Sequence, residues 1–269
     1  MNYSLKSRET PYRLLDRIIR IHNTPANTDK LILLVEGMYD VPFYEKFCDS
    51  KNVRIHFTDG SGKMNSLVPM LVNKGYEYLA IQDSDFKFFG QQKASYQNLF
   101  FTDCHDYEMT CFSDAAFSQT FSDRLRQDYG VLIDYSKIDA DLFLLSCYKA
   151  CNMLNSLGVS FKLIDLKVSK QQSIGHAEIQ NNLNKNLQQG CVNGFIRGNK
   201  NLVDAKYQLH NGHDWLARIC HQLNVQNNVA EEDLQDLLVC LYTKNTFCKT
   251  KLYKDIALWS SNTHKNVWN

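Results

Sequence analysis

The 269-residue chain is long enough for one large domain or two modest ones with a full core. Hydrophobic residues make up 44% and charged residues 22%, which excludes a disordered or fibrous chain. Thirty Lys and Arg against 29 Asp and Glu leave a net charge of +1, so bulk electrostatics cannot recruit nucleic acid or a membrane surface, and any such partner needs a local patch.

The opening stretch MNYSLKSRETPYRLLDRIIR has charges throughout and no apolar segment, unlike a secretory signal. Pro11 to His22 reads as a short basic helix with Leu14, Leu15, Ile18 and Ile19 on one face. Leu31 to Glu36 is a continuous apolar run closed by an acid, the pattern of a central parallel strand covered on both faces. A helix over Val41 to Cys48 is expected next, with Asp40 as its N-cap and Pro42 in its first turn. Val53 to Phe57 reads as a second strand, and TDGSGKMNSL turns into a helix over Met64 to Asn73. Tyr78 to Gln82 is a third strand, running into DSDF; Leu99 to Thr102 is a fourth, running into DCHDYEM and a helix.

This β-α-β-α-β alternation predicts an α/β fold: an open, mainly parallel sheet flanked by helices. From about Ala115 the strand signal fades. DADLFLLSCYKACNMLNSLG, HDWLARICHQL and EEDLQDLLVCLY are helical in period, and FKLIDLKV is a lone strand candidate. The expected organisation is an N-terminal helical segment over 1–29, a sheet domain over 30–115 and a mainly helical region over 116–269. Nine cysteines with no C-x-x-C pair read as reduced, buried thiols rather than a zinc site. Nothing approaches the ~20 apolar residues of a membrane span, so a cytoplasmic protein is expected.

The acids fall at strand ends. Glu36 closes the first strand, Asp83 and Asp85 follow the third, and Asp103, Asp106 and Glu108 follow the fourth. Ligands of open parallel sheets bind outside the carboxyl ends of the strands, so these acids converge if the strands are neighbours. Converging carboxylates repel one another, and a divalent cation relieves the repulsion. Oxygen ligands suit Mg²⁺ or Mn²⁺, and such sites hydrolyse phosphodiesters. GSGKMN lacks the spacing of an ATP-binding P-loop; it reads as a glycine turn opening a helix, where backbone amides and Lys63 suit a nucleic-acid phosphate. His213 and Asp214 in NGHDW suit a general acid or a phosphate contact; alternatively, Asp214 caps a helix beginning at Trp215. KNTFCKTKLYK, with Lys249 and Lys251 among its lysines and Phe247 and Tyr253 between them, suits phosphate contact with base stacking, or else is a solvated helical face. The stretch from Lys87 to Asn98, with Phe88, Phe89 and Tyr96, suits a nucleic-acid clamp or a docking surface.

LLVEGMYDVPFYEKF followed by YLAIQDSDF resembles the Toprim family, with a glutamate after the first strand and D-x-D after a later one. The spacing of Glu36 and Asp40 is closer to the branch of overcoming-lysogenization-defect nucleases. FTDCHDYEM and NGHDW resemble elements of a stand-alone Toprim-like family that includes the nuclease effector of PARIS anti-phage systems. The resemblance implies a Mg²⁺- or Mn²⁺-dependent nuclease with Glu36, Asp83 and Asp85 as catalytic metal-binding core and Asp40 and Glu108 supporting a second metal. It further implies an effector held by an ABC-type ATPase, released on sensing a phage protein, and cutting host tRNA as a homodimer, which favours RNA over DNA. A second reading from a different class stands beside it: a weakly catalytic or non-catalytic Toprim-like subunit whose task is assembly with that ATPase.

Overall fold

Four short strands form one all-parallel sheet: β1 (Leu31–Val35), β2 (Val53–Phe57), β3 (Tyr78–Gln82) and β4 (Leu99–Phe101), in the order β2-β1-β3-β4. The computed structural model describes residues 9–90, 96–161, 175–183, 187–199, 201–224 and 228–269. β1 and β3 are interior strands, and every residue of both is buried, which is why LILLV and YLAIQ do not alternate with polar residues. β2 is an edge strand and exposes Arg54 between buried Val53 and Ile55. The α/β architecture expected from the sequence is therefore present, with strand ends within one residue of the expected ones.

The chain forms two compact units: Met1–Asp83, Lys93–Thr102 and Lys244–Asn269 in the first, Ser84–Gln92 and Asp103–Thr243 in the second. These units do not follow chain order. In the first unit, α1 (Pro11–His22) and α3 (Ser61–Asn73) pack together on the sheet. Leu14, Leu15 and Ile18 of α1 join Met64, Leu67, Val68 and Leu71 of α3 over Ile32, Leu34 and Ala80. Thr10 caps α1 by accepting the Arg13 N–H, and Pro11 follows at the first helical position, where a missing N–H costs nothing. α2 (Asp40–Glu45) packs on β2. Asp40 is the first residue of this helix, not its cap; its Oδ2 accepts the Gly37 N–H at 2.7 Å and so closes the turn after β1.

The C-terminal residues belong to the sheet unit because they complete its core. The Lys251–Thr263 helix packs on β4, where the Trp259 indole donates to Asn98 at 3.0 Å. Val267 and Asn269 then pair with the backbone of Asp49 and Phe47. Phe247, a base-stacking candidate in the sequence, is 1% exposed; it stacks on Phe47 with ring centroids 4.4 Å apart and meets Phe43 and Trp268 edge-on. Tyr253 lies parallel to Trp268. An aromatic surrounded by aromatics buries more area than one left at the surface, and this overrides the local lysine-rich context.

The second unit is helical, with α4 (Tyr107–Ser113), α5 (Ala115–Tyr129) and α6 (Tyr135–Leu154) followed by Gly212–Asn224 and Glu231–Leu241 among others. Phe112 centres its core, against Phe117, Phe121 and Trp215. Of the lone strand candidate FKLIDLKV, all but Phe161 lies outside the described residues. All nine cysteines are free thiols. Among the described residues no helix is long and apolar enough to cross a membrane.

The interior position of Phe247 gives a direct expectation. Phe247→Ala should lower unfolding free energy by roughly 3–5 kcal/mol in urea titration. A surface stacking residue would leave the urea midpoint unchanged.

Candidate metal centre

The strand order 2-1-3-4 has one place where successive connections leave in opposite directions, between β1 and β3. In open parallel sheets that crevice, outside the carboxyl ends, is where ligands bind. Glu36 is the residue after β1 and Asp83 the residue after β3. The structure brings them together: Glu36 Oε1 accepts the Asp83 backbone N–H at 3.1 Å. Both are half-buried, so the carboxylates keep access to water.

The surrounding loops are tied to this edge. Thr58, after β2, donates N–H and hydroxyl to the Val35 carbonyl, and the Gly60 N–H donates to the Glu36 carbonyl at 3.1 Å. Gly60 has φ of +106°, a conformation that a side chain would strain, and it precedes α3 directly. Lys63, in the first turn of α3, is held by Asp59 at 2.7 Å. Asp40 is buried, and its carboxylate lies on the Gly37 N–H, one residue from Glu36. Glu36, Asp40, Asp83 and Lys63 therefore all sit on the carboxyl side of the first unit.

Lys249 and Lys251 are exposed in the first unit, Lys251 paired with Asp255 on its own helix. Asp85 belongs to the second unit, two residues along the chain from Asp83. Its φ is +45°, a left-handed conformation costing roughly 1 to 3 kcal/mol outside glycine. Its N–H donates to the His105 carbonyl at 2.8 Å. Burial pushes its carboxyl above the usual range, while the charges of His105 and Lys87 pull it back.

Within the second unit the DCHDYEM and NGHDW segments meet, 106 residues apart in the chain. Asp106 is the joint. As N-cap of α4 its Oδ1 accepts from Met109 N–H at 2.8 Å, while Oδ2 accepts from Gly212 N–H at 2.6 Å and lies 3.2 Å from His105 Nδ1. Burial alone would push this carboxyl up. His105, then the Gly212 and Met109 amides, outweigh it and hold Asp106 below the ordinary carboxylate range. The sequence reading assigned Asp106 no separate role, although an acid just before an apolar helical run is an N-cap signal.

Glu108, 2% exposed, lies against the same glycine. The helix of NGHDW begins at Gly212 rather than Trp215. Asn211 Oδ1, not Asp214, accepts its first amides, from His213 and Asp214. Asp214 is 6% exposed and forms a 2.7 Å ion pair with Lys149. His213 Nδ1 lies 3.0 Å from Glu231. Burial lowers the imidazole's affinity for a proton, but the Glu231 hydrogen bond and the negative charges of Glu108 and Asp106 raise it overall. More than half of the side chain faces solvent, so water weakens that hold. Ser146, His210 and Asp139 are linked as in a catalytic triad, at 2.9 and 2.7 Å. Ser146 and His210 are sealed from solvent, so this is a hydrogen-bonded core and not a nucleophile.

Among the described residues no group of three or more His, Cys, Asp and Glu side chains is arranged to hold a metal ion unaided. In the first unit, the acids Glu36 and Asp83 follow neighbouring strands at the switch point, joined through the Asp83 backbone amide. That suits Mg²⁺, which takes one or two protein carboxylates and completes its octahedron with water and substrate phosphate. Comparison with protein-family models, curated proteins and solved structures finds no match.

Two outcomes follow from the Asp106 joint. A Cβ on Gly212 would fall 2.5 Å from Glu108 Cβ and 2.6 Å from Asp106 Oδ1, so Gly212→Ala should destabilise the second unit by several kcal/mol, read as a lowered melting temperature. Because its folded pKa is depressed, the stability Asp106 supplies is present above the unfolded carboxylate pKa and lost as pH falls through the folded one. The urea midpoint of Asp106→Asn should therefore fall less steeply on acidification than that of the unsubstituted chain.

Proposed function

We propose that this chain is a Mg²⁺- or Mn²⁺-dependent nuclease whose reaction centre is built on Glu36 and Asp83. The observation that carries the reading is the Glu36–Asp83 contact at the β1/β3 switch point. The Toprim-like pattern of the sequence adds Asp85 as a third ligand and Asp40 and Glu108 as supports. When bound, the cation supplies Lewis acidity: it polarises the scissile phosphate and makes a water nucleophilic near neutral pH.

The chain's own residues supply position and charge. Glu36 has one oxygen fixed by the Asp83 amide, which orients its carboxylate without neutralising it. Asp83, half-buried beside it, adds a second oxygen donor. Raised affinity of Asp85 for a proton, caused first by burial, is the state that a nearby cation reverses.

The same sequence pattern supplies the biological setting proposed here: an anti-phage effector in the cytoplasm, silent while held by an ABC-type ATPase and active on RNA, tRNA above DNA, as a freed homodimer.

Glu36→Gln tests the centre cleanly, since the amide oxygen can still accept the Asp83 N–H while the charge is lost. Cleavage of tRNA or plasmid with Mg²⁺ or Mn²⁺ should fall at least ~10²-fold with an unchanged melting temperature. A folded Glu36→Gln protein that still cuts would sink the assignment. Co-expression with an adjacent ATPase gene should silence toxicity and yield a co-purifying complex; an inert chain that binds the ATPase regardless of trigger would favour the assembly role.

A further inference from the structure

The outer face of α1 carries charge that the acidic centre does not use. Arg13, Arg17 and Arg20 recur at intervals of four and three residues, so their side chains form one stripe about 10 Å long. They line an open groove of about 490 Å³ together with Glu9, Asp16 and Ile21. Arg13 and Arg20 are exposed, as is Tyr12 beside them at 69%. Leu14, Leu15 and Ile18 hold the opposite face of the helix in the core, so the stripe must face outward.

Arg17 fixes where this stripe lies in the first unit. Its guanidinium sits 5.3 Å above the Phe57 ring and is braced by Glu9 at 3.1 and 3.4 Å. Phe57 ends β2 and is in register with Val35, the residue before Glu36. The stripe therefore reaches the same carboxyl edge of the sheet as Glu36 and Asp83. At its far end α1 approaches the amino edge, where His22 packs edge-on against Tyr76, just before β3. Exposed Arg54 of β2 adds a fourth cation on this side.

A buried histidine senses this concentration of charge. His56 of β2 is 4% exposed, and its Nε2 has no hydrogen-bond partner among the described residues. Burial first, then the charges of Arg17 and Arg54, lower its pKa to about 4. Arg17 and Arg54 thus both lie close enough to His56 for their charges to add to the effect of burial.

We propose that Arg13, Arg17, Arg20 and Arg54 form a track for the phosphodiester backbone of a nucleic acid, leading the strand to the sheet edge that carries Glu36 and Asp83. Guanidinium forks match phosphate oxygens in geometry as well as charge, and a stripe of them suits a polymer with regularly repeated charges. Tyr12 offers a face on which a base stacks. Glu9 and Asp16 keep the groove from being uniformly basic; Glu9 acts as a brace that orients Arg17. The direction of the track rests on the nuclease reading, but its existence does not.

The test uses the full chain carrying Glu36→Gln, so that the probes survive, and fluorescence anisotropy with labelled tRNA and with labelled duplex DNA over a KCl series. Arg13→Gln, Arg17→Gln and Arg20→Gln together should weaken binding at low salt by 10-fold or more. The slope of log affinity against log salt should become shallower by about 2 to 3, since each lost contact removes ~0.7 on single strands and ~0.9 on duplex DNA. The ratio of tRNA to duplex effects tells which polymer the track prefers. A control with Arg124→Gln, Arg126→Gln and Lys137→Gln removes three exposed charges from the second unit and should leave the slope in place. Should loss of the Arg17 brace impair folding, the Arg13→Gln, Arg20→Gln pair keeps it and should still lower the slope by more than ~1. Equal slopes and affinities for track and control variants would overturn the proposal, as they would if the stripe served an acidic protein instead. Hydrolysis of bis(p-nitrophenyl) phosphate by the chain with Glu36 intact separates the two readings. If no metal gives turnover while the salt slope still responds to the arginines, the nuclease reading fails and the track stands; turnover with an unresponsive slope means the reverse.

Discussion

Two neighbouring strands run into acids, and across their ends the Asp83 amide donates to the Glu36 carboxylate. The bond is possible only because β1 and β3 are adjacent and parallel, which in turn requires the chain to pass from β2 back across β1. That crossover is the function of α3, whose apolar face covers Ile32, Leu34 and Ala80 on the way. A carboxylate at the end of a buried strand would ordinarily be a cost. Here it lies at a half-buried edge and accepts the amide of Asp83, the first residue past β3.

Charge elsewhere is handled by matching. In the second unit Asp214 lies against Lys149, Arg218 against Asp141, and His210 between Asp139 and Ser146. Breaking any of these from one side would strand a buried polar or charged group, so they specify one helix arrangement even where their net stabilisation is small. Asp106 shows the same logic at a tighter joint. Three donors converge on one carboxylate, and the glycine that approaches it does so because no Cβ intervenes. The first unit does the opposite along α1, where several cations share two carboxylates and the excess falls on a face open to solvent.

Much of this was legible in the sequence where the signal is local. LILLV and YLAIQ announce interior parallel strands because both faces of each are covered, and an acid closing such a run stands at the carboxyl edge in any open parallel sheet. The amphipathic periods of α1 and of the later helices likewise record which side is buried, since helix geometry brings residues three and four apart to one face. Glu36, Asp83 and the basic character of α1 were therefore all readable as positions on elements.

What the tertiary structure decided is nonlocal. Strand order, and hence that Glu36 and Asp83 meet, depends on which apolar faces cover each other. No residue-by-residue pattern encodes the 106-residue separation between Asp106 and Gly212. Phe247 looked like a surface aromatic among lysines, yet it fills the space between Phe47 and Trp268. Asp214 reads as a cap or as a general acid or phosphate contact, yet Asn211 caps the helix and Lys149 takes the acid. In each case the local sequence left two environments open, and the choice fell to the packing partner that removed most apolar area from water or satisfied a buried charge.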